Sequence, residues 1–585
     1  MDPKKAIDIL QDTTKTHRLG DDIIHVSASR RNNNNLPIRL YSSFFIHPDP
    51  ERQSEYEKCL LGNSFLEQHV FVDTHESEEW VHKHCPSAIT HKTDGIQTFK
   101  TLFENGEDEY INIVVNADIL LDETVFRLRF IDLENTFLCL ARWEENIEPN
   151  IVMPCMDVGS QDTWVWKGKL KNSDVLTFNI GTPGCDNKIT FEMYVAGYKI
   201  GNTAVDIVCL HKHASNIRSY PPLSVGPPYA TVRPSILNVK DLPLIVNPNK
   251  LPFQRRPTIL HIGYPMSKLQ EQFYLNCDNY IFIHRDTPNL DSRVLTINYK
   301  FNISLVFCQL QGPGVLKLET IQAIRKASYL INWTGDARRP IPQWYKTYAP
   351  YFDITLFSNE TDVREMKSLG YTSEFFNIGF ETQIYTPIRG LTIKSPEIVF
   401  AGNNYVNRFP LSQLRSDMVN ALKKEFGSQF GVWGDGWENA QKTIDDNHEA
   451  YIYRSSKMAI SLSHYDLERY FSDRMLRIMG CSTLCLAKWY PGIEKDFIDG
   501  VHLVVWKTIP DLIEKIKYYL EHPEEAFVIG RGGYQQVIAE HTWKNRIDHL
   551  EYIIRANKRT ILPVKSTGLL QTILTNAYKR QSSAH

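Results

Sequence analysis

The chain has 585 residues, of which 42% are hydrophobic and 23% are charged, and its formal net charge is −3. A chain of this length exceeds what one hydrophobic core supports, so we expect two to four domains. A charge so close to neutral gives no reason to expect nucleic acid or an anionic membrane surface as a partner.

The amino-terminal residues and the cysteines predict the compartment. The first forty residues are polar and lack the apolar core of a signal peptide, and no later run of about eighteen apolar residues predicts a transmembrane segment. The ten cysteines are scattered without CxxC pairs, which is typical of reduced thiols. We therefore expect a soluble, cytoplasmic protein.

Strands and helices alternate in the first domain, predicted over residues 1–218, which indicates a mostly parallel α/β sheet. The apolar run Ile111–Val115 is predicted as a buried strand that delivers Asn116 and Asp118 at its carboxyl end. A carboxylate at that position could hold Mg²⁺ or Mn²⁺ bridging a diphosphate, because these ions prefer hard oxygen ligands. Asp118 could equally be a helix cap.

Three later segments add polar groups to this domain. The segment 160–166 combines Asp162 with two tryptophans, which suits contact with the face and hydroxyls of a sugar. Asp186 begins the next predicted helix, either as a general base or as an N-cap. A strand then ends in His211 and His213, either of which could complete a metal site or be structural.

In these segments the sequence resembles a nucleotide-sugar glycosyltransferase domain of the GT-A type. The resemblance rests on the motifs NADILLDETV, LARWE, SQDTWVWKG, GTPGCDNKITFEMYVAGYKI and HKH. It implies that Asp118 is the second acid of the Asp-x-Asp motif, which binds the metal and the sugar diphosphate, and that Asp186 is the acceptor's base. It also implies that His211 or His213 is a late metal ligand. Asn116 departs from the first acid of the motif.

The segment 219–256 is rich in proline and has little periodicity. Because proline fixes φ and lacks a backbone N–H, we predict a semi-rigid linker between two halves that fold independently. Beyond it, strands and helices alternate again over residues 257–387 and 388–556, each predicted as a doubly wound parallel sheet. A final helix or tail is expected over residues 557–585.

The segment 457–506 is predicted to run strand, loop, helix, strand within the last unit. Its helix begins after Ser472 as the N-cap, buries an apolar stripe and ends at Gly480. Arg474 and Arg477 lie in the first two turns, where free N–H groups and the helix dipole favour a phosphate. Both arginines could instead be solvated helix residues.

The last two units together resemble a GT-B glycosyltransferase of the group 1 type, in its spore-coat-maturation-like branch. The matching motifs are NWTGDAR, FAGNNY, VWGDGW, YFSDRMLRIMGCSTL and YPGIEKDF. The resemblance implies that the second unit binds the nucleotide-sugar, while the first faces the acceptor with Asp336. The implied donor-binding residues are Asn403, Arg408, Trp433, Gly434 and Arg474.

These features predict a bifunctional enzyme in which each half transfers a hexosyl or deoxyhexosyl group from a nucleotide-sugar to a hydroxyl of a glycan or glycoprotein. The expected fold class is α/β, with a GT-A-like sheet domain followed by a GT-B pair of Rossmann-like units. We expect a divalent cation in the amino-terminal domain and no cofactor in the carboxyl-terminal one. The candidate catalytic residues are Asp186, Asp162 and Asp336. In the alternative, one half is active and the other is a degenerate carbohydrate-binding or scaffolding domain.

Overall fold

The computed structural model describes residues 16–19, 25–26, 36–95, 97–146, 151–157, 159–215, 217, 224–392, 394–438 and 445–557. Apart from its first residue, the helix or tail predicted over 557–585 lies outside the described residues. In the described part of the chain, no helix is long and apolar enough to cross a lipid bilayer. All ten cysteines are free thiols and eight are buried, as the scattered spacing predicts for thiols that are not paired.

The amino-terminal domain is built on a seven-stranded sheet with a smaller sheet beside it. The strands are β1 (Thr16–Arg18), β2 (His25–Val26), β3 (Ile38–Phe44), β4 (Glu67–Val72), β5 (Ile89–Lys92), β6 (Ile111–Val115), β7 (Ile119–Leu121), β8 (Thr136–Leu140), β9 (Trp143–Asn146), β10 (Ile151–Pro154), β11 (Thr163–Lys167), β12 (Lys199–Gly201), β13 (Cys209–His211), β14 (Tyr229–Thr231) and β15 (Asn238–Val239). The helices are α1 (Pro50–Gly62), α2 (His75–His84), α3 (Phe99–Phe103) and α4 (Cys185–Val195).

The large sheet has the strand order β12–β8–β11–β6–β3–β4–β5. Neighbouring strands are parallel except at β11, which runs antiparallel to both β6 and β8. The mostly parallel α/β sheet predicted from the sequence is therefore confirmed, with one reversed strand. The strand predicted over Ile111–Val115 is β6, and every one of its residues is buried.

Residues 257–557 form two further units with all-parallel sheets. The strands are β16 (Thr258–Gly263), β17 (Asn279–His284), β18 (Leu305–Cys308), β19 (Tyr329–Thr334), β20 (Ile354–Phe357), β21 (Ser373–Phe375), β22 (Leu391–Thr392), β23 (Ile398–Ala401), β24 (Phe430–Trp433), β25 (Met458–Ser461), β26 (Leu484–Lys488) and β27 (Val504–Trp506). The helices are α5 (Ser267–Asn276), α6 (Leu290–Lys300), α7 (Leu318–Ala327), α8 (Gln343–Tyr348), α9 (Glu360–Ser368), α10 (Ser412–Phe426), α11 (Asp446–Ser455), α12 (Asp473–Gly480), α13 (Ile509–Glu521), α14 (Pro523–Glu540) and α15 (Trp543–Ala556).

The two parallel sheets have the orders β17–β16–β18–β19–β20–β21 and β24–β23–β25–β26–β27. Their central strands are apolar along their whole length, because helices cover both faces of a parallel sheet. The predicted doubly wound parallel sheets are therefore confirmed. The sequence places residues 388–556 in one unit, but α15 packs into the core of the preceding unit through Trp543, Ile547 and Leu550.

The described part of the proline-rich segment is packed against both halves of the chain. β14 pairs with β1, and the N–H of Val239 donates to Gln535 on α14 at 2.7 Å. The halves also meet directly, because β10 pairs with β22 and Arg531 on α14 forms a buried ion pair with Asp206. The proline content of a segment predicts its local stiffness, but it does not predict how the domains on either side of the segment pack together. These contacts argue against two independently folding halves.

Candidate active sites

The first site lies beyond the end of β6, at the carboxyl edge of the seven-stranded sheet. β13 runs antiparallel to β7, and this pairing brings His211 opposite Ile119 and hence beside Asp118. His211 Nε2 lies 3.2 Å from Asp118 Oδ2, and His213 Nδ1 lies 3.7 Å from the same oxygen. One ligand atom from each of these three residues lies within 4.8 Å of the others. The structure thus brings together the three residues that the sequence singles out as metal ligands.

The chemistry of this cluster fits a divalent cation. Carboxylate and imidazole groups are ligands that Mn²⁺ and similar ions accept, and His213 Nε2 is buried without a hydrogen-bond partner. Arg52 Nη2 donates to Asp118 Oδ2 at 2.6 Å, so one carboxylate oxygen already has a cationic partner. Burial raises the pKa of Asp118, but the hydrogen bonds from His211, His213 and Arg52 outweigh it and hold the pKa well below its usual range.

A second carboxylate, that of Asp162, adjoins the cluster. Asn116 Nδ2 donates to Asp162 Oδ1 at 2.6 Å, and the N–H of Asn116 donates to the Asp162 carbonyl at 3.1 Å. Burial raises the pKa of Asp162, although Arg142 Nη1 lies 3.5 Å from Asp162 Oδ2. Asn116 therefore contributes no carboxylate itself. It fixes the position of Asp162, which directly precedes the neighbouring strand β11.

Asp186 lies in the first turn of α4 and is not the N-cap. The N-cap position is held by Gly184, whose φ of 84° requires the left-handed region that favours glycine. Asp186 Oδ1 accepts a hydrogen bond from the N–H of Asn187 at 3.0 Å. Burial raises the pKa of Asp186 to about 6, and the nearby charge of Asp162 adds to this rise. Such a carboxyl group is suited to general-base chemistry near neutral pH.

The two tryptophans next to Asp162 do not line this site. Trp164 and Trp166 are fully buried and pack against Phe99 and Phe103, with ring centroids 5.2 and 4.9 Å apart. Alternate residues of a strand point to the same face, and β11 is an interior strand whose face is covered by α3. The prediction that they hold a sugar is wrong, whereas Asp162 reaches the site because it precedes the strand.

The second site lies where β23 and β24 end side by side. The N–H of Gly402 donates to the Trp433 carbonyl at 2.8 Å, and Asn403 Oδ1 accepts from the N–H of Asp435 at 2.8 Å. At Gly434, whose φ is 126°, a Cβ would lie 2.7 Å from the Gly402 carbonyl. Only glycine fits such a close approach. Asn403 and Gly434 therefore shape the rim of the crevice.

The helix predicted beside this crevice is α12, with the predicted limits. It begins after Ser472, ends at Gly480 and buries the apolar side chains expected of it. Ser472 occupies the N-cap position without making a capping hydrogen bond, and its Oγ is buried without a partner. This hydroxyl remains available to an anionic ligand, whereas the N–H of Arg474 donates to Asp473 Oδ1 at 2.9 Å.

Arg474 spans the ends of two strands at this crevice. Its Nη1 donates to the Leu462 carbonyl at 3.1 Å and its Nε donates to the Ala401 carbonyl. Arg477 is engaged differently, because its Nη1 lies 2.6 Å from Glu449 Oε2 in an ion pair. Arg474 is therefore the arginine of this helix that contacts the carboxyl ends of the sheet.

Arg415 on α10 joins Arg474, and sequence reasoning missed it. Arg415 is 2% exposed, and it donates from Nη1 to the Asn403 carbonyl at 3.0 Å and from Nη2 to the Leu462 carbonyl at 2.7 Å. Its Nε has no partner. Burial and the charge of Arg474 lower the pKa of Arg415 to about 9. The sequence pattern that could have identified Arg415 is an arginine on the apolar stripe of α10, three positions before Met418.

His464 completes the polar lining and was also missed. Burial, together with the charges of Arg415 and Arg474, lowers its pKa to about 3, so the imidazole is neutral at physiological pH. His464 Nδ1 is buried without a hydrogen-bond partner. Its ring stacks on Phe409, with centroids 4.3 Å apart. A neutral imidazole beside two arginines can bind a ligand without adding a like charge.

Two other predicted donor residues remain, and one of them, Arg408, adjoins this cluster because its charge also lowers the pKa of His464. Arg408 is exposed, with its guanidinium 5.9 Å from the ring centre of Tyr405 and 5.4 Å from that of Phe409. Trp433 is 4% exposed and belongs to the core of the unit. The Trp433 ring therefore packs beneath the strand end, and its carbonyl reaches the rim of the predicted donor site.

Asp336 lies across the cleft, in the turn after β19. It is exposed, and the preceding strand is buried throughout. Burial raises the pKa of Tyr470, and the charge of Asp336 contributes to that rise. Because Tyr470 belongs to the other unit, this effect indicates that Asp336 faces the second unit from the side that the sequence predicts for the acceptor.

Residues 415–552 match the model of a family described as "Glycosyl transferase-like". The matched range begins at Arg415 and contains His464 and Arg474, so it includes most of the second site. No curated protein matches the chain. The family match confirms the predicted enzyme class, a glycosyltransferase, and it does not extend to the amino-terminal half.

Solved structures similar to the chain cover about half of its length. A glycosyltransferase from Rickettsia africae is 13% identical, covers 53% of this chain and 100% of its own, and has a TM-score of 0.42. An Anabaena structure in complex with UDP is 9% identical, with 51% and 100% covered and a TM-score of 0.38. Sucrose-phosphate synthase from Thermosynechococcus elongatus is 12% identical, with 51% and 98% covered and a TM-score of 0.38. Likenesses at this level carry no argument about activity.

Proposed function

We propose that residues 257–557 form a GT-B glycosyltransferase that passes the sugar of a nucleotide-sugar to a hydroxyl of a glycan acceptor. The observation that carries the proposal is the pair Arg415 and Arg474 at the carboxyl ends of parallel strands, beside the uncapped start of α12. In the described part of the chain, these two arginines donate to carbonyl groups and have no carboxylate partner. Uncompensated guanidinium groups and helix N–H groups suit a diphosphate.

The transfer reaction requires little covalent participation by side chains of this half. The acceptor oxygen bonds to the anomeric carbon while the bond from that carbon to the diphosphate breaks. Arg415 and Arg474 stabilise the charge that develops on the departing diphosphate, which is the main source of catalysis expected at such a site. The neutral His464 adds a hydrogen bond, and Asp336 across the cleft takes the proton of the acceptor hydroxyl.

The amino-terminal half is proposed as a second glycosyltransferase, of the GT-A type. Asp118, His211 and His213 would hold a divalent cation there, which would neutralise charge on the donor diphosphate. Asp186 takes the proton of the acceptor hydroxyl, a role supported by its raised pKa. Asp162, held by Asn116, keeps a carboxylate next to this group and orients the acceptor.

A second candidate function for this half is carbohydrate binding or scaffolding without transfer. It is favoured by Arg52, whose guanidinium bonds the Asp118 carboxylate where a cation would lie, and by Asn116 in place of an acid. Titration of the full chain with Mn²⁺ separates the two candidates. A transferase site binds Mn²⁺ in the wild type and loses it in His211→Ala, whereas the scaffolding candidate shows no difference between them.

The experiment that tests the proposal is a thermal-shift panel of nucleotide-sugars on the full chain, followed by assay of nucleoside diphosphate release with oligosaccharide acceptors. At least one nucleotide-sugar is expected to raise the melting temperature and to be consumed, because ligands that bind the native state stabilise it. Stabilisation without release in the presence of a broad acceptor set would favour a binding protein. No stabilisation by any nucleotide-sugar would refute the proposal for both halves.

A further inference from the structure

A cavity of about 130 Å³ lies between the amino-terminal domain and the donor-side unit, away from both candidate active sites. It is lined by the short turn after α12, by the first turn of α14 and by residues near Glu123 in the amino-terminal domain. A cavity of about 150 Å³ holds one small molecule such as benzene, so this one has room for a small ligand and not for a nucleotide. Its lining combines apolar side chains with several charged and polar ones.

Two buried hydrogen-bond donors line the cavity without partners. Arg531 is 1% exposed, and its Nη2 is engaged by Asp206, but its Nε and Nη1 have no partner. Ser482 Oγ is likewise buried without a partner, and this residue has a φ of 61°, in the left-handed region. Unpaired buried donors, above all charged ones, are rare in native proteins and call for a ligand or ordered water.

Two further arginines add positive charge to the same wall. Arg127 Nη1 donates to the Asp206 carbonyl at 2.6 Å, and Arg454 Nε donates to the Gly390 carbonyl at 3.0 Å. In the described residues, neither has a carboxylate within ion-pair distance. Burial lowers the pKa of both guanidinium groups, which marks them as charges without a full counterion.

The start of α14 faces this charge. The helix begins at Pro523, and its N-cap residue, His522, makes no side-chain capping bond, so the first-turn N–H groups and the positive end of an 18-residue helix lie at the cavity. The acidic residues of the lining offset this positive charge only in part, because Asp206 is paired with Arg531 and Glu123 is paired with Lys457. Glu524 remains as an acid without an ion-pair partner in the described part of the chain.

We propose that this cavity is a binding site for a phosphoryl anion, either inorganic phosphate or the phosphate group of a small phosphorylated sugar. Its oxygens accept hydrogen bonds from Arg531 and Ser482 and lie at the start of α14, with Arg127 and Arg454 supplying charge. A ligand held there contacts both halves of the chain and strengthens their association.

The site is also connected to the donor crevice by one short element. Ser482 follows the last residue of α12 by two positions, and Arg474 lies in the first turn of the same helix. Eight helical residues span about 12 Å. Binding at the carboxyl end of this helix is therefore positioned to change donor affinity at its amino end.

The test follows the melting temperature of the full-length chain with increasing inorganic phosphate, against sodium chloride of equal ionic strength. The wild type is expected to be stabilised progressively, as binding to the native state requires. Ser482→Ala removes one neutral hydrogen bond and is expected to weaken phosphate about threefold to tenfold, and Arg454→Met to weaken it further. Arg293→Met, at an exposed arginine of α6, is the matched control and leaves the affinity unchanged.

Arg474→Ala separates this site from the donor crevice, because it removes a donor-site charge and leaves the cavity intact. The proposal expects Arg474→Ala to keep the phosphate response. Three results would each overturn the proposal of a phosphate site. They are loss of the phosphate response in Arg474→Ala, a phosphate response unchanged in Ser482→Ala and Arg454→Met, and no stabilisation of the wild type by phosphate. A hexose phosphate that competes with inorganic phosphate and binds more tightly identifies the phosphorylated sugar as the ligand, and weaker competition identifies phosphate itself.

Discussion

Replacing Arg474 by alanine removes one of the two guanidinium charges from the donor crevice. The guanidinium bonds the carbonyls of Ala401 and Leu462 and lies 5.2 Å from the ring centre of Phe400. A charge-assisted contact to a diphosphate contributes about 1.5–3 kcal/mol, and about 1.4 kcal/mol corresponds to tenfold in affinity. Arg474→Ala is therefore expected to weaken nucleotide-sugar binding by about tenfold to a hundredfold. Arg474→Lys should restore part of it, because lysine keeps the charge without the planar fork.

The assay is calorimetric titration of the full chain with nucleoside diphosphates and nucleotide-sugars at low and moderate salt. Arg477→Ala is the matched control, since that guanidinium pairs with Glu449 at 2.6 Å and with Asp473 at 2.9 Å. We expect the control to lower the melting temperature and to leave donor affinity within about twofold, because Arg477 makes no contact with the strand ends. Equal donor affinity in wild type and Arg474→Ala would refute the assignment of the donor site.

Four further outcomes are expected. Asp118→Ala should abolish Mn²⁺ binding measured by calorimetry, and unchanged Mn²⁺ affinity would exclude this cluster as the metal site. Asp186→Asn should keep Mn²⁺ and donor binding but slow chelator-sensitive transfer by about 10²- to 10⁴-fold. In the wild type the chelator-sensitive transfer should fall as the pH drops through about 6. Asp186 acts as a base only when it is deprotonated, and burial raises its pKa to about 6. A transfer rate that does not change with pH would contradict this role of Asp186. Arg531→Met leaves Asp206 buried and unpaired and should lower the free energy of unfolding by about 3–5 kcal/mol in urea titrations, with a smaller loss in the double variant Asp206→Asn/Arg531→Met.

The strands and helices that position the sites could be predicted because their local patterns are strong. β6 is an unbroken apolar run, and α12 carries an N-cap serine, an apolar stripe and a terminal glycine, so both elements were recovered. The placement of Asp118 with His211 and His213 was also anticipated, through a resemblance carried by motifs. Residues 93 positions apart meet there because β7 and β13 pair, which no local pattern predicts.

The errors have the same physical origin. The residue type of Trp164 predicts a contact with sugar. Whether a tryptophan lies in the core or at the surface depends, however, on which strands flank its own strand. β11 is flanked by a strand on each side. Arg415 was missed because its partners are backbone carbonyls of distant strand ends. The buried pair of Asp206 and Arg531 joins residues 325 positions apart, and the proline-rich segment between them gives no local sign of this contact.

The most direct measurement is nucleoside diphosphate release by the full-length chain from each nucleotide-sugar of a panel, with and without a chelator. Wild type, Arg474→Ala and Asp118→Ala are compared at matched protein concentration. Two separable activities are expected: one that resists the chelator and is lost in Arg474→Ala, and one that is chelator-sensitive and is lost in Asp118→Ala. Release that neither substitution reduces, or a single activity lost in only one of the two variants, would contradict two independent nucleotide-sugar sites in this chain.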